Sequence, residues 1–141
     1  MASLAPGTPA AAAAPRDRKR LAGVILGGVA IAFLTLDGAM KLMPLQPVTD
    51  TMQALGWPTT PALLRGLGVI QLAATLLYAW RRTTLIGAIL LTAYLGGAVA
   101  THVRIGSPLF THCLFGVYVG LLLWAALWLR DSRLRALVSD R

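Results

Sequence analysis

Asp37 and Lys41 stand four residues apart with the acid first, the spacing at which two side chains meet on one helix face. Such a pair can close into an internal ion bridge, with Lys41 reaching for lipid headgroups. Alternatively Asp37 pairs across to another helix, with Arg65 or His102 as partner. An imidazole beside a carboxylate can carry protons, so His102 and Asp37 are the candidate catalytic residues. Arg65 and Arg104 carry guanidinium forks suited to a lipid phosphate, or to an anionic or carbonyl-bearing ligand. Gln71 lies deeper, where an interhelical hydrogen bond explains it better than reach to the surface. His102 and His112 flank a short loop. Two imidazoles suffice in principle for bis-axial haem ligation, and Cys113 could add a sulfur for copper. Nothing in their spacing is diagnostic, and no metal is assigned. Tyr94 and Thr101, seven residues apart, read as packing residues.

Other chemistries have no sequence support. No phosphate-binding loop, dinucleotide fingerprint, HExxH or GxSxG motif is present. That argues against a stand-alone hydrolase and a nucleotide-driven pump. No arginine and aromatic platform for nucleic acid occurs. Cys113 is the single cysteine, so an intramolecular disulfide is excluded.

These polar residues are held by an unusually apolar chain. Of its 141 residues 57% are hydrophobic and 13% charged, and its mean hydropathy is +0.70. An average globular domain carries about 25% charged residues. The apolar residues run together in four stretches, Leu21 to Met43, Ala62 to Trp80, Thr84 to Val103 and Leu109 to Leu129. Each approaches the roughly 20 residues that cross a hydrocarbon core, and spans this apolar must be helical to satisfy their own backbone. The expectation is an all-α integral membrane four-helix bundle over residues 21–130. It is preceded by an Ala/Pro-rich disordered tail at 1–20 and followed by a basic tail at 131–141. Ala30-Ile31-Ala32 is a weak small-x-small cleavage site. The apolar run continues past it to Met43, which argues for an uncleaved span.

Charge sets the orientation. Arg16, Arg18, Lys19, Arg20, Arg81, Arg82, Arg130, Arg133, Arg135 and Arg141 all fall on one side of the alternating spans. The loop from Pro44 to Pro61 carries no basic residue. The positive-inside rule then puts both termini in the cytoplasm. Asp37, Lys41, Arg65, Gln71, His102, Arg104 and His112 fall together in the outer half. Ionisable groups in a membrane cost roughly 2.5–3.5 kcal/mol each at a helix centre and usually face a cavity or the bundle interior. Their convergence implies one polar pocket open to the outer face.

Smaller signals fill in the loops and interfaces. Val48, Met52 and Leu55 recur at helical spacing, and Gly56 and Trp57-Pro58 follow. That pattern predicts a short amphipathic helix over Pro47 to Leu55 in the outer interface. Ser107-Pro108 fits an N-cap followed by proline at the first helical position. Gly23 and Gly27, and Gly116 and Gly120, form small-xxx-small pairs. Gly96 and Gly97 lie with Ala93 and Ala100 along the third span. Such stripes let helices approach closely, within the chain or in a homo-oligomer.

Three segments carry a family resemblance. The run Asp37-Gly38-Ala39-Met40-Lys41-Leu42 resembles the G-x-x-K-L/F element of the DoxX-like family. Leu55-Gly56-Trp57-Pro58 resembles that family's LG-aromatic-P turn. The stretch Tyr94-Leu95-Gly96-Gly97-Ala98-Val99-Ala100-Thr101-His102-Val103-Arg104 resembles the GGA-V-A-T-H-x-R stretch of its third helix. The likeness runs from about Leu21 to Leu129. It implies a four-helix protein of bacterial cytoplasmic membranes. The family takes its name from the membrane subunit of a thiosulfate:quinone oxidoreductase, and other relatives are linked to oxidative-stress assemblies. Motif match carries over Lys41, His102 and Arg104, with Asp37 by proximity.

The expectation is then a membrane subunit of a redox system that binds a quinone or a similar lipid-soluble carbonyl compound. His102 would carry protons, Arg65 or Arg104 would donate to a carbonyl oxygen, and Asp37 would orient them. Lys41, Gln71 and His112 would complete the lining. One rival is a non-catalytic scaffold subunit, in which the polar cluster only staples helices to each other. The other is a small transporter, which the polar-free inner half disfavours.

Overall fold

The computed structural model describes residues 15–43 and 45–139, with no strand among them. The helices are α1 (Pro15–Leu42), α2 (Gln46–Ala54), α3 (Pro61–Ala79), α4 (Thr84–Arg104), α5 (Phe115–Arg130) and α6 (Ser132–Ser139), with a π-helical turn at Leu109–Cys113 before α5. Four stretches are long and apolar enough to cross a membrane: Arg18–Leu42, Pro61–Ala79, Thr84–Arg104 and Leu109–Arg130.

The four long helices pack as a ring, α1 against α3 and α5, and α4 against α3 and α5. Glycines set the close approaches. A Cβ on Gly87 of α4 would run into the Tyr78 backbone nitrogen of α3. One on Gly68 of α3 would stand 2.8 Å from the Gly38 oxygen of α1. Gly23 meets the end of α5, and Gly116 meets Leu95 and Val99 of α4. Each contact joins the start of one helix to the end of its neighbour, so the topology is up-down-up-down. One end of the bundle holds the start of α1, the α3–α4 turn and the end of α5 (the termini end). The other holds α2 and the α4–α5 connection (the loop end).

Two layers distinguish this bundle from a water-soluble one. Its centre holds Leu34, Leu64, Leu91 and Leu123 beside the buried polar residues Gln71, Thr75 and Thr84. The Tyr78 hydroxyl crosses the centre to donate to the Leu123 carbonyl at 2.9 Å. The outer face is apolar, with Val29, Leu36, Ile70, Leu76, Ile86 and Leu121 all more than half exposed. Such a surface belongs against acyl chains, where packing and internal hydrogen bonds hold helices together.

Several expectations change in detail. α1 starts at Pro15, so residues 15–20 extend the first helix instead of ending the tail. Proline is tolerated in a first turn, where its missing N–H is not needed, and the Arg and Lys that follow are good helix formers. Residues 1–14 of the expected tail and Arg141 lie outside the described residues. The basic segment 131–141 is not plain tail, because α6 occupies Ser132–Ser139. Arg135 of α6 turns back and donates to the Trp128 and Leu129 carbonyls at the end of α5. Ser107 does not cap the fourth span. Pro108 takes the cap position, its carbonyl accepts from both His112 and Cys113, and a π turn results. Of the small-residue stripes, Gly23 and Gly116 sit at helix contacts, and Gly27 faces Ala126 and Arg130. Gly96, Gly97 and Gly120 would meet nothing within 4 Å.

Candidate functional site

The polar side chains of the loop end separate into three groups. The first joins α1 to α3. Asp37 and Lys41 form the expected bridge along α1. Both also bond Gln71 of α3, which is fully buried. Lys41 Nζ donates to Gln71 Oε1 at 3.0 Å. Gln71 Nε2 donates to Asp37 Oδ2 at 2.8 Å and to the Leu34 carbonyl at 2.9 Å. Helical side chains lean toward their N-terminus, which turns Lys41 back down α1 toward Asp37. It therefore does not snorkel to the headgroups. The Lys41 side chain is 14% exposed, whereas that of Asp37 is 43% exposed. Oδ1 of Asp37 has no partner among the described residues.

The interhelical pairing of Asp37 with Arg65 or His102 does not form. Gln71 takes that place, because the Gly38 and Gly68 contact brings α1 and α3 together at this level. Arg65 is exposed near the start of α3 and stands apart from the cluster. By its spacing Tyr94 reads as a packing residue. On α4 its hydroxyl makes no hydrogen bond among the described residues. Thr101 only bonds back to the Gly97 carbonyl.

The second group joins α4 to α2. Arg104 Nη2 donates to the Leu55 carbonyl at 2.7 Å. Leu55 ends α2, and Gly56 follows at φ +70°. The Gly56 nitrogen donates to Gln53 and the Trp57 nitrogen to Met52, closing the helix in the way that requires a left-handed residue. Arg104 thus stabilises exposed carbonyls at a helix C-terminus, which a cation suits. Two segments that sequence reading treated separately, Leu55-Gly56-Trp57-Pro58 and the end of α4, form one contact.

The third group is the histidine pair. The rings of His102 and His112 have centroids 5.6 Å apart and are tilted by 57°. His102 Nδ1 pairs with the Ser107 hydroxyl at 3.0 Å, and His112 Nδ1 with the Thr111 hydroxyl at 2.8 Å. Neither Nε2 atom has a hydrogen-bond partner among the described residues. Cys113 is buried and its Sγ points to the Ser107 carbonyl. Among the described residues no three His, Cys, Asp or Glu side chains group as metal ligands.

Four long apolar helices with an apolar exterior define a multi-pass membrane protein in contact with the lipid bilayer. The chain belongs to the DoxX-like family, whose model matches residues 25–126. No curated protein and no solved structure matches it.

Proposed function

We propose that this protein is a membrane subunit of a redox system that holds a quinone or similar lipid-soluble carbonyl compound at the loop end. One observation carries the reading: the Asp37 side chain is 43% open within a membrane-spanning helix. Charge at such a position is costly, and a polar ligand lying over Asp37 would relieve that cost. Lys41 keeps a spare donor beside it, and the Tyr94 hydroxyl is free, so a ligand carbonyl oxygen can accept from either. The open Nε2 atoms of His102 and His112 would pass protons between the ligand and the membrane surface. Electrons would come from a partner subunit. In this reading the protein lies in a bacterial cytoplasmic membrane with both termini inside.

A second reading is favoured by a different observation. Both donors and the acceptor of Gln71 are used within the chain, and Arg104 is spent on Leu55. That is what a helix staple in a scaffold subunit needs. The exposed small-residue face of Ala93, Gly96, Gly97 and Ala100 would then meet a partner or a second copy.

A photoreactive quinone analogue separates the two. The first reading expects labelling concentrated on the α1 segment around Asp37 and on α4 around Tyr94. The label should fall in Asp37→Asn and Tyr94→Phe. Labelling spread over all four helices and indifferent to both substitutions contradicts it.

A further inference from the structure

The termini end holds a recess of about 1440 Å³ that the proposed function does not use. Six cations from four separate elements line it: Lys19 and Arg20 of α1, Arg81 and Arg82 of the α3–α4 turn, Arg130 of α5 and Arg135 of α6. Asp131 is the carboxylate in that lining, and it already has a partner. Val24 and Leu127 add apolar wall.

Arg130 supplies the second observation. Its guanidinium lies over the Tyr78 ring, 5.0 Å from the centroid. Its Nη2 is buried and has no hydrogen-bond partner among the described residues. A buried donor left unsatisfied is expensive, and a charged one more so. Arg135 differs, since it spends Nη1 on two carbonyls of α5. The recess therefore gathers six cations against one carboxylate among the described residues.

We propose that this recess is a binding site for a phosphate-bearing anion. Guanidinium forks match phosphoryl oxygens in geometry as well as charge. Cations contributed by α1, the α3–α4 turn, α5 and α6 can surround a multiply charged group from several sides. The shared chemistry is a phosphoryl group, carried by an anionic phospholipid headgroup or by a soluble phosphate compound. The apolar wall, and the exposed rings of Trp80 and Trp128 at the same end, fit a headgroup whose acyl chains run down the bundle. The site is independent of the loop-end cluster and stands whether or not a quinone binds there.

The test is native mass spectrometry of the full chain released from nanodiscs of mixed phosphatidylcholine, phosphatidylglycerol and cardiolipin. Inorganic pyrophosphate serves as the soluble probe. The expected result is selective retention of the anionic lipids. Arg81→Gln and Arg82→Gln should each lower it about fivefold, as for one lost cation at a charged membrane surface. Both residues are exposed in a turn, so the bundle should survive. Arg18→Gln, exposed on α1 and outside the recess, should leave retention unchanged. Pyrophosphate binding without lipid selectivity, weakened by the same two substitutions, would assign the phosphoryl group to a soluble source. Retention of phosphatidylcholine equal to that of anionic lipid, with no pyrophosphate binding, overturns the proposal. So does an equal loss in Arg18→Gln, which would mean diffuse attraction and no site.

Discussion

Lys41 is the residue on which the loop-end cluster turns. It neutralises Asp37 and fills the acceptor of a fully buried Gln71. Removing one partner of a buried charged pair costs more than removing both. Because Asp37 is partly open, the full penalty for a stranded buried charge does not apply. Lys41→Met should cost about 1–3 kcal/mol, the range for leaving buried polar groups unsatisfied. The double variant Asp37→Asn with Lys41→Met should recover part of that loss. Thermal unfolding in detergent checks this, and strictly additive losses would show that the two side chains do not act together. The pairing within α1 was legible from spacing four along one helix. The turn of both residues toward Gln71 was not, because it depends on which faces of α1 and α3 meet. Arg104 shows the same limit. Its guanidinium fork and its motif match suggest a ligand role, and only the fold reveals the Leu55 carbonyl 49 residues away.

At the scale of elements, hydropathy delimited four spans, and the helices agree with them to within a few residues at most ends. The exceptions are the start of α1 and the π turn before α5, where local backbone choices override the apolar run. Small-residue motifs were less informative. Gly23 and Gly120 both stood in GxxxG pairs, yet one touches a neighbouring helix and the other touches nothing. The motif records a periodicity and not the direction in which that face is turned. The contrast is testable. Gly87→Ala would drive a methyl group into the Tyr78 backbone, which cannot yield as a side chain can. The expected loss is about 1–3 kcal/mol. Gly28→Ala meets nothing within 4 Å, and should leave stability unchanged or raise it by up to about 1 kcal/mol through better helix propensity. Equal effects in paired melting curves would contradict the assigned helix faces.

For the whole molecule, the bundle is polarised. Its termini end gathers cations around a recess, and its loop end holds the carboxylate, amide and imidazole groups. The uneven charge was legible in the sequence, because basic residues cluster between alternate spans. The recess was not, since its lining comes from four elements far apart in the chain. The positive-inside rule predicts that both termini are cytoplasmic. A fluorescent-protein fusion at the C-terminus should be bright, and an alkaline phosphatase fusion there inactive. The reverse pattern would invert the molecule and put the loop-end cluster on the cytoplasmic face.

The proposed function turns on whether a lipid-soluble carbonyl compound covers the open side of Asp37. Mass spectrometry of an organic extract from gently purified protein, beside extracts of Asp37→Asn and of a mock purification, tests it most directly. A quinone or other isoprenoid carbonyl should be retained in proportion to the wild-type protein, and depleted in Asp37→Asn while phospholipid stays constant. Only bulk phospholipid in all three extracts would contradict it, and would leave Asp37, Lys41 and Gln71 as a staple between α1 and α3.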